Sequence, residues 1–326
     1  MFSGIGGFEL GIRNFLSGQK PNIKRRETKD LQRNLPNIST ENLEVDASCV
    51  GFSEIDKYAT QIYKKHFNHT EWGDAKNIFW GNVPNFDLLC GGFPCQAFSI
   101  AGKRGGFDDT RGTLFFEIAR AAQEKQPRLL LLENVKGLLS HDKGRTFGAI
   151  LNTLDELGYD LQWQVLNSKN FGVPQNRERV FIIGHLRGTP RPEVFPIGSD
   201  DGLPEGKNEP EEGQPQAQLS STVRNKTGKA DDTYIVHNIY GGFKETKVRK
   251  FKEVSPTIRT PKGGGHLPNL VSGSKIRRLT PVECERLQGF PDDWTEGLSD
   301  TQRYKCLGNA VTVNVIEKIA EKLING

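Results

Sequence analysis

Residues 129–135 of this chain are Leu-Leu-Leu-Leu-Glu-Asn-Val, four leucines followed directly by a carboxylate. A short apolar run bounded by polar residues is typical of a strand buried on both faces of a parallel sheet. Further strands are predicted at residues 86–90 and 180–184, and apolar residues at helical spacing lie between them. This alternation predicts an α/β fold built from βαβ units around a parallel sheet.

The length of 326 residues corresponds to about two domains of average size. We predict a catalytic and cofactor-binding domain at residues 1–187, completed by a C-terminal helix at residues 305–326. Residues 188–304 are predicted to form a smaller, mostly β domain and its hinge, because Pro and Gly become frequent there and β-prone runs are short. Thr280 and Glu283 have capping-box spacing, which predicts the start of a helix.

The composition excludes several classes of protein. No apolar run approaches the ~18 residues that a membrane span needs, and we expect no signal peptide. The five cysteines are too few and too scattered for a disulfide scaffold, and none forms a Cys-x-x-Cys pair, which excludes a zinc ribbon or a thioredoxin-like site. We therefore expect a protein of a reducing cytoplasm, with no membrane and no metal site.

The net charge of +4 is too small to indicate a nucleic-acid partner by itself. The charges are clustered, however, with seven basic and two acidic side chains at residues 244–262 and an acidic run at residues 200–212. Most charge runs are only solvated faces, so neither cluster establishes a function alone.

The strongest single motif is Phe93-Pro94-Cys95-Gln96, which follows two glycines at a predicted strand end. Open α/β sheets place their chemistry at that edge, and a thiol there can act as a nucleophile if the site favours thiolate. The alternative is a buried, inert cysteine, and Cys90 inside the strand fits that description better.

Three charged side chains are predicted near Cys95. Glu133 directly follows a strand, and its carboxyl could share a proton with a ring nitrogen and so activate an aromatic heterocycle to thiol attack. Arg177 and Arg179 alternate before the next strand, which predicts that both lie on one face and hold a carbonyl or a phosphate. A helix-capping carboxylate and a surface salt bridge are the alternatives.

A glycine-rich turn at residues 2–8 permits close approach of the backbone to a ligand. Glu54 and Asp74 are strand-end acids that would suit the hydroxyls of a nucleotide-type ligand. Because Glu54 lies far beyond the usual ~20 residues after such a turn, the basic stretch at residues 17–42 is predicted to be an inserted loop. A plain turn and two helix-start caps are the alternatives.

Together, these segments resemble the DNA (cytosine-5)-methyltransferases, especially the compact bacterial restriction–modification type. The resemblance extends through nearly the whole chain, at residues 2–11, 52–56, 73–74, 93–96, 111–114, 133–135, 175–179, 278–291 and 308–311. It implies a Rossmann-like, S-adenosylmethionine-dependent sheet with a smaller, mostly β target-recognition domain. The implied reaction is sequence-specific methylation of cytosine C5 in double-stranded DNA, which leaves S-adenosylhomocysteine as the second product.

The resemblance also implies roles for individual residues. Cys95 would attack C6 of a flipped cytosine, Glu133 would bind N3 and the exocyclic amine, Arg179 would hold O2, and Arg177 belongs to the same catalytic motif. The implied cofactor residues are Phe2, Gly4, Gly6, Gly7, Glu54 (ribose), Asp74 (adenine), Leu114 and Asn309. The implied DNA contacts are Gln96, Ser99, Arg111, Lys244, Arg249, Lys252, Thr257, Arg259 and Gly264.

We further expect a monomer of the bacterial or archaeal cytoplasm, associated with the nucleoid. The resemblance to the restriction–modification type suggests a cognate restriction endonuclease acting on the same site, and the sequence leaves open whether one accompanies this chain. A tRNA-methylating branch shares the catalytic residues, but the long variable segment and the basic cluster favour DNA. A DNA-binding module without activity is a second alternative, and a generic nucleotide-binding oxidoreductase would give Cys95 no role. The family has a hydrophobic strand before the glycine-rich turn, whereas Met1 directly precedes Phe2 here. Either the true start lies upstream, the sequence is cut, or the sheet lacks its first strand.

Overall fold

The computed structural model describes residues 1–18, 48–94, 114–198, 233–237, 249–252, 254–258, 268–272 and 275–325. Several residues singled out in the sequence lie outside these ranges: Cys95, Gln96, Ser99, Arg111, Lys244, Arg259 and Gly264. The inserted loop predicted at residues 17–42 also lies outside them, apart from its first two residues.

The main sheet is mixed rather than parallel. Its strands are β1 (Leu88–Gly92), β2 (Leu129–Val135), β3 (Tyr159–Asn167) and β5 (Glu178–Leu186), in the order β1-β2-β5-β3. The parallel pairing of β1 with β2 confirms one part of the prediction. The all-parallel arrangement is wrong, because β5 runs antiparallel to both of its neighbours, β2 and β3. The short connection from β3 to β5 contains no crossover helix, and such a connection returns the chain antiparallel.

The described ranges contain seven α-helices: α1 (Gly7–Gly18), α2 (Lys57–His66), α3 (Leu114–Lys125), α4 (Arg145–Glu156), α5 (Pro281–Leu287), α6 (Asp300–Asn309) and α7 (Val313–Asn325). Short 3-10 segments lie at Ala75–Asn77, Trp80–Asn82, Lys136–Gly144 and Ser168–Asn170. The capping box predicted at α5 is confirmed, with Thr280 and Glu283 each accepting a backbone N–H of the other. None of the described helices is long and apolar enough to cross a membrane.

Helix α7 packs against α1 at a glycine. A Cβ placed on Gly11 would lie 2.6 Å from Cβ of Ile316, so only glycine allows the two helices to approach this closely. Val315, Ile316 and Ile319 of α7 are buried together with Phe8 and Phe181. The C-terminal helix is therefore part of the main core, next to the turn that starts α1.

A second, antiparallel sheet contains the strands β6 (Thr233–His237), β7 (Arg249–Phe251), β9 (Asn269–Ser272) and β10 (Lys275–Arg278). Their order in the sheet is β10-β9-β6-β7. A separate two-stranded pairing joins β4 (Gln175–Asn176) to β8 (Ser255–Pro256) in parallel. Ile235, Ile258 and Leu270 are buried in the same cluster as Ile5 and Leu287, so the second sheet packs on the segments that carry the glycine-rich turn.

Candidate active site

The ends of β1 and β2 place two site segments side by side. The parallel register sets Gly92 opposite Glu133, and Oε2 of Glu133 lies 3.3 Å from the position that a Cβ on Gly92 would occupy. Gly92 precedes the Phe93-Pro94-Cys95 motif by one residue, although Cys95 itself lies outside the described part of the chain. The Glu133 carboxyl therefore lies at the same sheet edge as the segment leading into the cysteine.

Glu133 and Arg179 form a shielded ion pair. Arg179 Nε lies 2.9 Å from Glu133 Oε1, and the two side chains are 15% and 12% exposed. Arg179 Nη1 also donates to the backbone carbonyl of Glu178 at 2.8 Å. Burial raises the pKa of Glu133, and the charges of Arg179 and Arg177 oppose that rise.

Asn134 fixes the backbone beside this pair, a role that the sequence interpretation missed. Its side-chain amide donates to the carbonyl of Phe93 at 2.9 Å, and its side-chain oxygen accepts from the N–H of Val135 at 2.8 Å. A buried amide next to a strand-end acid is a signal that could have been noticed, since buried polar groups need partners. Asn134 thus holds the chain two residues before Cys95.

Arg177 does not face the site as the alternation rule predicts. It is 2% exposed, and its guanidinium donates to the carbonyls of Ile258 (3.2 Å), Gly308 (3.1 Å) and Ala310 (2.6 Å). β4 ends at Asn176 and β5 begins at Glu178, so Arg177 lies between two strands and strand alternation does not apply to it. Its hydrogen bonds go to carbonyls of this chain, which corrects the expectation that it points to a substrate.

The glycine-rich turn and Glu54 contact each other directly, although residues 19–47, which lie outside the described ranges, separate them in sequence. Glu54 Oε2 accepts from the N–H of Gly4 at 2.8 Å, and Oε1 accepts from the N–H groups of Ile55 and Asp56 at 2.9 Å each. Gly4 has a φ of +57° and nothing within 4 Å of its Cβ position. The turn therefore leaves open space at Gly4, next to a carboxylate of fixed orientation.

Unlike Gly4, Gly6 and Gly7 face other protein atoms closely, and a side chain at either position would crowd them. A Cβ on Gly6, where φ is +84°, would lie 2.4 Å from the ring of Phe67, and a Cβ on Gly7 would lie 3.2 Å from the carbonyl oxygen of Val311. Phe2, at the start of the turn, also has a positive φ of 53°. At the other end of the turn, the indole N–H of Trp294 donates to the carbonyl of Ile5 at 3.0 Å.

The remaining predicted cofactor residues lie at element ends. Asp74 caps the Ala75–Asn77 segment, and its side chain accepts from the N–H of Lys76 at 3.0 Å. The hydroxyl of Ser53 donates to the carbonyl of Gly73 at 2.7 Å, which joins the backbone just before Asp74 to the residue just before Glu54. The strand expected before Glu54 is present only as an isolated bridge between Phe52 and Glu71. Leu114 begins α3, and exposed Asn309 ends α6.

Three of the four described cysteines, Cys90, Cys284 and Cys306, fit inert roles, and the fourth, Cys49, is exposed. Burial raises the pKa of the Cys90 thiol to about 12, as expected for a cysteine within a strand. Cys284 and Cys306 are buried and unpaired. Within the described ranges, no group of His, Cys, Asp and Glu side chains is arranged to hold a metal ion.

Two of the predicted DNA contacts lie within the described ranges together with their side chains. The Thr257 hydroxyl donates to the carbonyl of Asn176 at 2.6 Å, and Lys252 is exposed. For Arg249, only its place at the start of β7 is described. Lys250 on the same strand lies with its ammonium 5.0 Å from the ring centre of Tyr234. The structure does not bring these residues into contact with Glu133 or Arg179.

A mixed sheet flanked by helices, with a glycine-rich turn hydrogen-bonded to a carboxylate, is the arrangement expected of an enzyme that takes a nucleotide-type cofactor. A family model, C-5 cytosine-specific DNA methylase, matches residues 1–201 and 199–325. M.SsoII, a type II methyltransferase of Shigella sonnei, is 39% identical over 339 residues that cover 100% of this chain and 79% of that protein. M1.ScrFI of Lactococcus lactis subsp. cremoris is 42% identical over 297 residues, 83% of this chain and 71% of that protein.

A solved structure, the S. pombe Dnmt2 methyltransferase, matches with a TM-score of 0.66 at 18% identity and covers 99% of this chain and 97% of that chain. At this identity the likeness concerns the fold alone. The family model and the curated relatives carry the assignment: the chain belongs to the C-5 cytosine-specific DNA methylase family. The prediction of a DNA cytosine-5-methyltransferase is thereby confirmed.

Proposed function

We propose that this protein methylates cytosine C5 within one short recurring sequence of double-stranded DNA, with S-adenosylmethionine as methyl donor and Cys95 as covalent nucleophile. The main support is the shielded pair of Glu133 and Arg179 beside the strand end that leads to Cys95. Because the thiol cannot reach C6 inside the base stack, the target cytosine is flipped out, at a cost of a few kcal/mol.

Glu133 supplies the proton that makes the ring electrophilic. Since burial raises the pKa of this carboxyl, it retains its proton to higher pH than an exposed glutamate. A protonated carboxyl donates a hydrogen bond to cytosine N3, and proton sharing there draws electrons away from C6. Arg179, held beside Glu133, is the cation suited to the O2 carbonyl.

The covalent step then follows from ring chemistry. The thiolate of Cys95 forms a bond to C6, and the electron pair displaced from the C5–C6 double bond makes C5 an enamine carbon. C5 takes the methyl group, the C5 proton leaves to a base, and the returning electron pair breaks the C6–S bond. The thiolate is regenerated, and 5-methylcytosine and S-adenosylhomocysteine are the products.

The chain's own residues fit an adenosine-containing donor. The open space at Gly4 lies beside the carboxylate of Glu54, which suits ribose hydroxyls. Ile55, directly after Glu54, is 67% exposed and offers an apolar face for a flat base. Asp74 is the acid proposed for the adenine amine, and Leu114 and Asn309 complete the pocket. Phe2, Gly6 and Gly7 shape the turn that carries these contacts.

Arg177 is proposed as a positioning residue rather than a catalytic one. Its guanidinium joins the carbonyl of Ile258, in the region proposed for target recognition, to those of Gly308 and Ala310. The side chain of Gln175 makes a second connection of this kind: it donates to the carbonyl of Leu287 at 2.7 Å and accepts from the N–H of Ile258 at 3.1 Å. These bonds fix the position of Ile258, within the proposed recognition region, relative to the segment that carries Arg179.

Residues 188–304 are proposed to recognise the DNA target, and they include Lys252, Thr257 and the basic cluster at 244–262. Lysines that neutralise phosphates make binding strongly salt dependent, while a few side chains distinguish bases. We propose that the enzyme acts as a monomer on DNA in the cytoplasm, and that a restriction endonuclease with the same target accompanies it.

Methyl transfer from labelled S-adenosylmethionine to unmethylated DNA, followed by bisulfite sequencing, tests this function. The expected result is protection of cytosines at one recurring short motif, and loss of incorporation in Cys95→Ser with specific DNA binding retained. Incorporation into tRNA but not DNA would overturn the proposed substrate. Full methylation by Cys95→Ser would overturn the nucleophile.

A further inference from the structure

The segment that follows Asp74 is held from outside by an arginine of another element. Arg120, on α3, donates from Nη1 to the carbonyl of Ile78 at 2.8 Å and from Nη2 to the carbonyl of Ala75 at 2.7 Å. These two carbonyls flank the 3-10 segment that Asp74 caps. One planar guanidinium therefore bridges both ends of the segment, a geometry that the single ammonium of lysine cannot reproduce.

Arg120 is itself oriented by two neighbours. Glu117, one turn earlier on α3, accepts from Arg120 Nε at 3.0 Å and from Nη2 at 2.7 Å through Oε2. The guanidinium carbon also lies 5.9 Å from the ring centre of Trp80, whose side chain is buried. The Glu117 carboxylate and the Trp80 ring together fix the plane of the guanidinium. The N–H groups of Nη1 and Nη2 therefore point at the carbonyls of Ile78 and Ala75.

The Asp74 segment depends on such support because its own hydrogen bonds are few. It is three residues long, and two backbone bonds close it: the N–H of Asn77 donates to the carbonyl of Asp74 at 2.9 Å, and the N–H of Ile78 donates to the carbonyl of Ala75 at 3.4 Å. On its other side, the Ser53 hydroxyl holds the carbonyl of Gly73. Asp74 is thus fixed on one flank by the segment before Glu54 and on the other flank by Arg120.

Helix α3 also begins with Leu114, six residues before Arg120 in the sequence and the second member of the proposed adenine pocket. We call the two bonds from Arg120 to the carbonyls of Ala75 and Ile78 the Arg120 clamp. Because one helix carries both Leu114 and this clamp, it fixes the distance between Leu114 and Asp74, the two sides of the proposed adenine pocket. Loss of the clamp would let the Asp74 segment move relative to Leu114, while the Glu133–Arg179 pair on β2 and β5 would keep its contacts.

We propose that Arg120, oriented by Glu117, is a positioning residue for the methyl donor: it sets the Asp74 side of the adenosine pocket against α3. This inference rests on the proposed function, since it takes Asp74 as an adenosine contact. The clamp acts on donor affinity and not on the chemical step.

The test compares Arg120→Gln and Arg120→Lys with Arg187→Gln as a matched control. Arg187 is likewise a half-exposed arginine that contacts a backbone carbonyl (Asp155, 3.1 Å) and carboxylates, but it follows β5 at the end away from Arg179. For both Arg120 variants we expect the Kd for S-adenosylhomocysteine and the KM for S-adenosylmethionine to rise about tenfold, or about 1.4 kcal/mol. We expect kcat and the KM for DNA to change less than about twofold, and Arg187→Gln to leave all four constants unchanged.

A double-mutant cycle with Asp74→Ala separates this inference from the function beneath it. If Arg120 acts through Asp74, Arg120→Gln adds little further loss of donor affinity in the Asp74→Ala background. Fully additive losses, or unchanged donor affinity in a folded Arg120→Gln, would overturn the clamp while leaving the proposed function intact. Wild-type donor affinity in Asp74→Ala would instead overturn the adenine assignment. Glu117→Gln provides a milder variant if Arg120→Gln does not fold, and a threefold to fivefold rise in Kd is expected of it.

Discussion

Glu133 and Arg179 pair across two antiparallel strands, with Arg179 Nε 2.9 Å from Glu133 Oε1 and both side chains mostly shielded from water. Burial pushes the pKa of Glu133 up, and the arginine charge pulls it down. The same cation that limits the proton affinity of Glu133 is the one proposed to hold the base at O2. Proton sharing with the ring and orientation of the ring are therefore coupled in one contact.

Glu133→Gln should lower kcat by a factor of about 10² to 10⁴, the usual contribution of a general acid. The amide keeps the size of the side chain but cannot share a proton with cytosine N3. Single-turnover methyl transfer at saturating donor and DNA measures the effect. Glu156→Gln, at the exposed end of α4, is the control. A normal kcat for Glu133→Gln would remove the proton-donor role.

Arg179→Gln should move the alkaline limb of the pH profile of kcat/KM to higher pH. The arginine charge lowers the pKa of Glu133, so its removal raises that pKa further, and the protonated carboxyl that the reaction needs persists to higher pH. We expect this shift together with a lower maximum rate, since the contact to O2 is also lost. An alkaline limb at the wild-type pH would show that Glu133 does not determine it.

Arg177→Met should destabilise the folded protein by about 3 kcal/mol or more, because three backbone carbonyls lose their donor in a buried site. The free energy of unfolding from urea titration measures this loss. Arg187→Met, at a half-exposed arginine whose ion pairs face solvent, should cost less than about 1 kcal/mol. Near-equal losses of unfolding free energy for the two variants would contradict the proposal that Arg177 holds the carbonyls of Ile258, Gly308 and Ala310 together.

Alanine at Gly4 and alanine at Gly6 should affect different properties: cofactor affinity for Gly4 and stability of the folded protein for Gly6. Both positions have positive φ, so each variant carries backbone strain of about 1 kcal/mol. Gly6→Ala adds a clash with the Phe67 ring and should lower the melting temperature of the protein without cofactor. Gly4→Ala meets no protein atom and should mainly weaken S-adenosylhomocysteine binding. Thermal melts and calorimetric titration measure both, and equal donor affinity in Gly4→Ala and wild type would contradict the proposed pocket.

Features of the sequence that depend on near neighbours predicted the structure well. The run of four leucines lies in β2, which continues two residues beyond Glu133 to Val135, and the capping box starts α5. These features succeed because strand burial and helix capping are determined within a few residues. The contact between Gly4 and Glu54 joins segments on either side of residues 19–47, and it was anticipated only as a shared ligand site.

Features that depend on chain connections were predicted poorly. The direction of β5 is determined by the short link from β3, which the period of apolar residues does not report. Arg177 was placed beside Arg179 by alternation, but a strand break at this residue turns its side chain to three distant carbonyls. The Arg120 clamp was not anticipated, because its partners Ala75 and Ile78 accept through backbone atoms that leave no trace in the sequence.

Covalent trapping on DNA that carries 5-fluorocytosine at the target position tests the mechanism most directly. After attack of Cys95 at C6 and methyl transfer to C5, fluorine occupies the place of the proton, so elimination cannot occur. With S-adenosylmethionine present, the wild-type protein should form an adduct that survives denaturing electrophoresis and yields a peptide modified at Cys95. Cys95→Ala should bind the same DNA and form no adduct. An unmodified Cys95 in wild-type protein that methylates ordinary DNA would contradict the covalent mechanism.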